Sequence, residues 1–216
     1  MPTLLLRLIG AMQSWGTRSQ FDQRDTELEP SKSGVLGLVC AAMGIDRDDW
    51  ASLEPLTHLR MGVRADQPGV LRVDYHTAQN KPGDPRTQTA LSRRYYLSDA
   101  AFLVGLESEN RTLLERVHWA TKNPHWTLSL GRKAFAPSQP VFLEDGLRDA
   151  TLEEALKSYP FIGSERAMTA GAPLRLSLQS RITQGSLRFD QPASSFAERR
   201  FTSRYVVPDS VVLGGS

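Results

Sequence analysis

The stretch that most constrains this chain is its first 45 residues. Leu4 to Ile9 is a short apolar run with one arginine, closed by Gly10, the pattern of a buried strand. Gly10-Ala11-Met12-Gln13-Ser14-Trp15-Gly16 reads as a loop, and Gln20 to Pro30 is polar and charged. Ser31 or Ser33 can N-cap the small and apolar residues that follow, which predicts a packed helix stopped by Gly44. The unpaired amides of that helix start carry a partial positive charge, with Lys32 and Ser33 beside them and Gly34 and Gly37 admitting a close backbone. Two readings stay open there: a phosphate cradle, or an N-capped helix with glycines for packing. The order G-x-x-x-x-G-K-[ST] is absent, so this is not a P-loop.

Downstream, Leu59 to Ala65 alternates, Asp66-Gln67-Pro68-Gly69 is a turn signal, and Val70 to Thr77 alternates again. Together they predict an antiparallel hairpin between 59–65 and 70–77. Asp46 to Leu53 can form one or two helical turns. Ala78 to Ser92 contains Asn80, Pro82, Gly83, Asp84 and Pro85 and no apolar period; a loop of that length is functional or disordered. Arg94 to Leu106 reads as a strand. From Asn110 to Thr121, Leu113, Leu114, Val117 and Ala120 recur at helical spacing behind an Asn110 cap. Thr127 to Leu130 reads as a strand entering the basic turn Gly131-Arg132-Lys133. The order β-α-β-β-(long loop)-β-α-β predicts an α+β fold: a ferredoxin-like antiparallel sheet with an inserted loop.

The remainder is less regular. Thr151 to Tyr159 reads as a helix, with Thr151 and Glu154 in capping-box order. Leu174 to Leu178 and Val206 to Val207 read as strands, and Ser186 to Arg204 interleaves arginines with Phe189, Phe196 and Phe201. A soft boundary near Phe135–Gln139 separates residues 1–136 from a smaller β-rich region, 137–216.

Composition narrows the chemistry. The net charge of +2 permits a nucleic-acid partner without requiring one, but the basic residues are clustered. Lys81, Arg86, Arg93 and Arg94 face only Asp84 between His76 and Arg94, and six arginines face Asp190 and Glu198 between Arg175 and Arg204. Cys40 is the only cysteine, placed on the apolar side of the first helix, so no internal disulfide or cysteine-based zinc site can form. Without a run of about 18 apolar residues, no membrane span is expected and the default compartment is the cytoplasm. The four histidines, His58, His76, His118 and His125, show no i, i+4 pair, and G-x-S-x-G and G-x-G-x-x-G are absent. No metal or cofactor is therefore expected, and one catalytic class survives.

Two nucleic-acid chemistries remain. Metal-free RNA cleavage needs a base for the 2′-OH and a cation for the phosphate, which His76, Tyr95, Tyr96, Arg94 and Lys133 could supply by converging. Single-stranded RNA binding needs a basic groove with flat side chains for base stacking. Trp15 suits a stacking role or a place on the core. Arg93-Arg94-Tyr95-Tyr96 brings cations and rings to the end of the long loop, with Tyr95 and Tyr96 on opposite faces.

Several stretches together resemble a known family. They are Leu-Arg-Leu-Ile-Gly-Ala-Met-Gln-Ser-Trp-Gly (6–16), Lys-Ser-Gly-Val-Leu-Gly-Leu (32–38), Asp-Tyr-His-Thr (74–77), Arg-Tyr-Tyr-Leu-Ser-Asp-Ala-Ala-Phe (94–102) and Leu-Gly-Arg-Lys (130–133). In order and spacing, from Thr3 to about Leu143, they resemble the CasD subunits of type I-E CRISPR Cascade complexes. The resemblance implies a RAMP-type (RRM-like) ferredoxin-like domain over 1–136, a thumb-like insertion at about 78–93 and a small C-terminal β region. It implies a hetero-oligomeric complex, binding of the CRISPR RNA 5′ handle, and neighbours CasC (the backbone subunit) and CasA (the large subunit). The implied RNA-binding positions are Gln13, Ser14, Trp15, Gly16, Lys32, Ser33, Gly34, His76, Arg86, Arg93, Arg94, Tyr95, Gly131, Arg132 and Lys133. The acidic Gln20–Pro30 loop departs from the family's more basic versions, which argues against an RNA contact there. The competing readings are a metal-independent endoribonuclease processing precursor CRISPR RNA, and a subunit whose basic patches contact other proteins only.

Overall fold

The computed structural model describes residues 1–17, 23–78, 90–169 and 171–213. The backbone of the fold is one antiparallel sheet core. Strands β1 (Thr3–Gln13), β3 (Arg60–Gln67) and β5 (Ala90–Glu107) lie side by side in the order β1-β5-β3. Helix α1 (Lys32–Met43) follows β1, with α2 (Trp50–Thr57) next; α3 (Arg111–Lys122) follows β5, and the short β6 (Leu147–Arg148) pairs with the outer side of β1. The order β6-β1-β5-β3 is the ferredoxin-like arrangement expected from the sequence.

Alternation along the strands explains the layers. Leu4, Leu6 and Leu8 of β1, Met61 and Val63 of β3, and Phe102, Val104 and Leu106 of β5 point to one face and pack on α1, α2 and α3. Leu5 and Leu103 point to the other, where helix α4 (Leu152–Ser158) adds Leu152 and Leu156. Ser31 caps α1, its Oγ accepting from Gly34 N at 3.3 Å, and Gly44 ends the helix in the left-handed region.

β7 (Leu174–Gln179), β9 (Phe201–Val211) and β8 (Ser186–Pro192) continue the sheet from β3 in that order, so strands from the C-terminal part of the chain share hydrogen bonds with the first part.

Two expectations are corrected. Residues 59–65 and 70–77 do not form a hairpin. β3 and β4 (Val70–Ala78) both pair antiparallel with β5, β3 along its C-terminal half and β4 along its N-terminal half. The Asp66–Gly69 signal is a break in one long strand rather than a reversal. The register with β5 shifts between Ala65 and Gln67, and Gly69 takes φ 72°. The hairpin partner of β4 is β5 itself, and the two project past the core as an arm. Its connecting residues 79–89, including Arg86, lie outside the described residues. Thr127–Leu130 is not a strand. After α3, His125 N and Trp126 N donate to Ala42 O and Ala41 O at the end of α1, which draws the chain off the sheet. The edge of β1 is covered instead by Ser138 to Gly146, through Ser138 N to Ile9 O, Arg7 N to Val141 O and Leu5 N to Gly146 O.

Candidate nucleic-acid interface

The N-terminus of α1, one of the two readings of the sequence, is already filled. Lys32 N donates to Asp190 Oδ2 at 2.7 Å, and Asp190 is held by Arg204 through Nε (2.6 Å) and Nη2 (2.9 Å). An internal carboxylate from β8 sits where an incoming phosphate would have to bind. Lys32 is 1 % exposed, and its Nζ donates to Thr57 O (2.8 Å) and Gln179 Oε1 (3.1 Å). Burial, with Arg204 nearby, lowers its pKa to about 7 although Asp190 opposes the shift. Arg204 and Lys32 hold the buried Asp190 carboxyl below its ordinary range against the cost of burial, which works the other way.

The Gln13–Gly16 motif is structural as well. Trp15 is 1 % exposed, its Nε1 donates to Gln13 Oε1, and its ring lies where a β-carbon on Gly34 would intrude at 2.8 Å. Gln13 Nε2 donates to Leu8 O and Ala100 O, and Ser14 is buried with its Oγ directed to Asp25 O and Tyr95 O. No base can stack on Trp15, and no phosphate reaches Lys32 or Gln13. Gly16 is exposed, and Ser33 and Gly34 are partly exposed.

Exposed and half-buried cations gather elsewhere, at the base of the arm. The two-residue strand β2 (Gln23–Arg24) pairs parallel with β5 and sets Arg24 in register with Arg94. The Gly131–Lys133 turn approaches from the other side. Gly131 has φ 94°, and a β-carbon there would overlap the Ser14 carbonyl, so the turn can seat against β1 only with glycine. That seating directs Arg132 Nη2 to Tyr95 O at 2.8 Å and Arg24 O at 3.3 Å, with the guanidinium over the Phe135 ring. Burial, then the Arg94 and Arg24 charges, lower the Arg132 pKa, opposed by Asp74 and Asp25. Lys133 is exposed in the same turn.

Register assigns the arm's two faces. Arg72, Asp74 and His76 of β4 stand opposite Tyr96, Arg94 and Ser92 of β5. His76 Nε2 bonds Asp74 Oδ2, and Arg94 Nε donates to Ser92 Oγ. Arg93 and Tyr95 lie on the opposite face with Leu71, Val73, Tyr75, Leu91 and Leu97.

Sequence reasoning missed Arg24. Its loop is acidic, but Glu29 is buried and both Glu29 and Glu27 are taken up by contacts within the chain. Glu29 Oε2 accepts from Ser177 Oγ and its Oε1 from Arg188 Nη2, and Glu27 accepts from Thr17. Arg24 is left facing β5, and a two-residue strand carries no period by which it could have been found. Among the described residues no cluster of metal-capable side chains exists, and no helix is long and apolar enough to cross a membrane.

Residues 3–207 match the family model described as CRISPR-associated protein (Cas_Cas5). The chain belongs to this family. It is 31% identical over 225 residues to the CRISPR system Cascade subunit CasD of Escherichia coli (strain K12), covering 94% of this chain and 95% of that protein. Two solved structures are similar across nearly its whole length. A crystal structure of a Cas protein shares 47% identity at TM-score 0.79, covering 99% of this chain and 98% of the other. A chain of a CRISPR RNA-guided surveillance complex shares 32% identity at TM-score 0.76, covering 99% and 93%. In this member of the Cas5 family, the motif residues Gln13, Trp15, Lys32 and Gly34 build the frame on which the arm and the Gly131–Lys133 turn are mounted.

Proposed function

We propose that this chain is the CRISPR RNA-binding subunit of a Cascade-type surveillance complex, holding the 5′ handle at the base of the arm. The observation that carries the reading is the gathering of three arginines: Arg24 stands in register with Arg94, and Arg132 Nη2 donates to Arg24 O and Tyr95 O. A phosphate bridging such a cluster accepts charge-assisted hydrogen bonds. Lys133 is exposed in the same turn as Arg132. Its partners in this reading are the 5′ handle, CasC and CasA; relatedness to a Cascade subunit supports membership of such a complex.

The chemistry is positioning. Phosphate contacts fix the register of a bound strand without reading its sequence. Arg24→Ala and Arg94→Ala are expected to weaken binding of handle RNA and of an unrelated single strand alike. Each should flatten the dependence of log affinity on log salt by about 0.7 per lost phosphate contact, as for single strands. Filter binding at several salt concentrations reads both quantities. An unchanged salt slope in both variants removes the site. Cleavage of repeat RNA by the wild-type chain, stopped by His76→Ala, would replace the binding role with the endoribonuclease.

A further inference from the structure

We propose that the bare end of the sheet, strands β8 and β9, is a second surface for single-stranded nucleic acid, which stacks bases on its rings and is blind to the sugar. This goes beyond the reading above and does not rest on it. The argument begins with register. Val207 of β9 stands opposite Leu178 of β7, and Leu178 belongs to the core layer that α4 covers. Tyr205 alternates onto the same face as Val207 and pairs with Leu187 of β8. Phe189 follows Leu187 by two residues and Phe201 precedes Tyr205 by four, so all five side chains share the α4 face. Arg204 and Asp190 lie on the other face, at the start of α1. Helix α4 packs on β1, β3 and β5. Beyond it Leu187, Phe189 and Phe201 are 51 %, 52 % and 39 % exposed. A cluster of large half-exposed apolar groups on one sheet face marks a binding surface.

Rings and cations together decide the occupant. Phe189 and Phe201 make no ring contact among the described residues, so their flat faces are open. The turn from β8 to β9 sets Arg199 and Arg200 beside Phe201. Arg199 is exposed, and its side chain has no partner among the described residues. It holds φ 56°, a left-handed conformation that glycine takes without strain, so the backbone gains nothing from an arginine there. Arg200 is 78 % exposed and meets only Glu198, at 3.6 Å. An apolar protein patch would satisfy the rings and leave the free cation without an anion. A single strand supplies a flat base and an anionic phosphate in every repeat unit, and rings with arginines are how such strands are held. The surface is separate from the arginines at the base of the arm. β8 lies four strand spacings from β5, about 19 Å, so both sites can be filled at once.

The test uses the assembled, RNA-loaded complex, with a short fluorescent oligothymidylate as the second strand. Phe189→Ala combined with Phe201→Ala is expected to weaken its binding at least about tenfold, the scale of one lost base stack. Arg199→Gly removes the cation and relieves the backbone. It should flatten the dependence of log affinity on log salt by about 0.7 while the Tm holds or rises. Unchanged affinity in the first variant, or an unchanged salt slope in the second, overturns the proposal. A crosslink locates the strand. Cys40 is buried, and burial, with Asp49 nearby, raises its pKa to about 12, so a maleimide reacts at an introduced cysteine alone. Ser203 is exposed on β9 between Phe201 and Tyr205. Ser203→Cys, labelled with a benzophenone maleimide before assembly, is expected to join the oligothymidylate on illumination. An adduct with a protein subunit instead, or none, overturns the proposal. An oligouridylate should bind within about threefold of the oligothymidylate, because neither a stacked base nor a phosphate contact meets the 2′-OH. A preference of about tenfold for either sugar overturns the sugar-blind site.

Discussion

The ammonium of Lys32 ends inside the protein, between the last carbonyl of α2 and the side chain of Gln179. Each of these acceptors has a second donor: Gln191 Nε2 on Thr57 O, and Met61 N on Gln179 Oε1. A neutral amine can still donate both of its hydrogen bonds, so only the charge is at issue. Because the folded pKa of about 7 lies below the ordinary 10.5, the unfolded chain binds the extra proton between those values, and stability rises with pH across that window. Lys32→Met removes the charge and nearly keeps the volume. Urea unfolding at pH 7 and pH 9 should show wild type gaining on the variant as pH rises, while handle-RNA affinity stays unchanged at either pH. A loss of RNA binding would return the α1 terminus to the functional site. In sequence, Lys32 beside Ser33 and Gly34 has the same letters whether the helix start faces solvent or Asp190. Asp190 lies 158 residues away, so nothing local distinguishes the two cases.

At the scale of elements, α4 is bracketed by buried charges of the sign its dipole favours. Glu107 Oε1 accepts from Leu152 N at its start. At its end Arg64 donates Nη1 to Leu156 O and Tyr159 O and Nη2 to Pro160 O, while Nε and Nη2 also bind Asp66. Arg64→Met leaves Asp66 buried without its cation and three carbonyls short of a donor. The expected cost is about 3–5 kcal/mol, read by chemical denaturation, without a change in the salt slope of RNA binding. Most of the helices and the long strands are legible in the sequence because apolar period and caps are local: Ser31, Asn110 and Thr151 cap where expected. Pairing is not local. Asp66-Gln67-Pro68-Gly69 has the same composition as a hairpin turn, and only the length of β5, long enough to pair with both β3 and β4, turns it into a break. Arg64 likewise reads as the polar face of an alternating strand, and it is α4, 88 residues later in the chain at its first residue, that buries it.

For the whole molecule, the contacts between early and late segments are buried and charged as well as hydrogen-bonded. β7 pairs with β3, Asp190 and Arg204 close the start of α1, and Arg181 joins Arg60 on Glu107. One calorimetric transition is expected, and a chain ending at residue 136 should show no cooperative melt, because Glu107 and Lys32 lose these partners and β3 loses an edge. Two separated transitions would support independent units on either side of that position. The strand at the centre of this cooperative body is β5, and its far half is the arm itself. The arm is therefore a lever with no joint of its own, cantilevered from the middle of the sheet. At its root Gly69 and Asp99, both with positive φ, lie beside the register shift after Ala65. The direction in which the arm leaves the core is therefore fixed within the chain itself, by how it folds at these few residues.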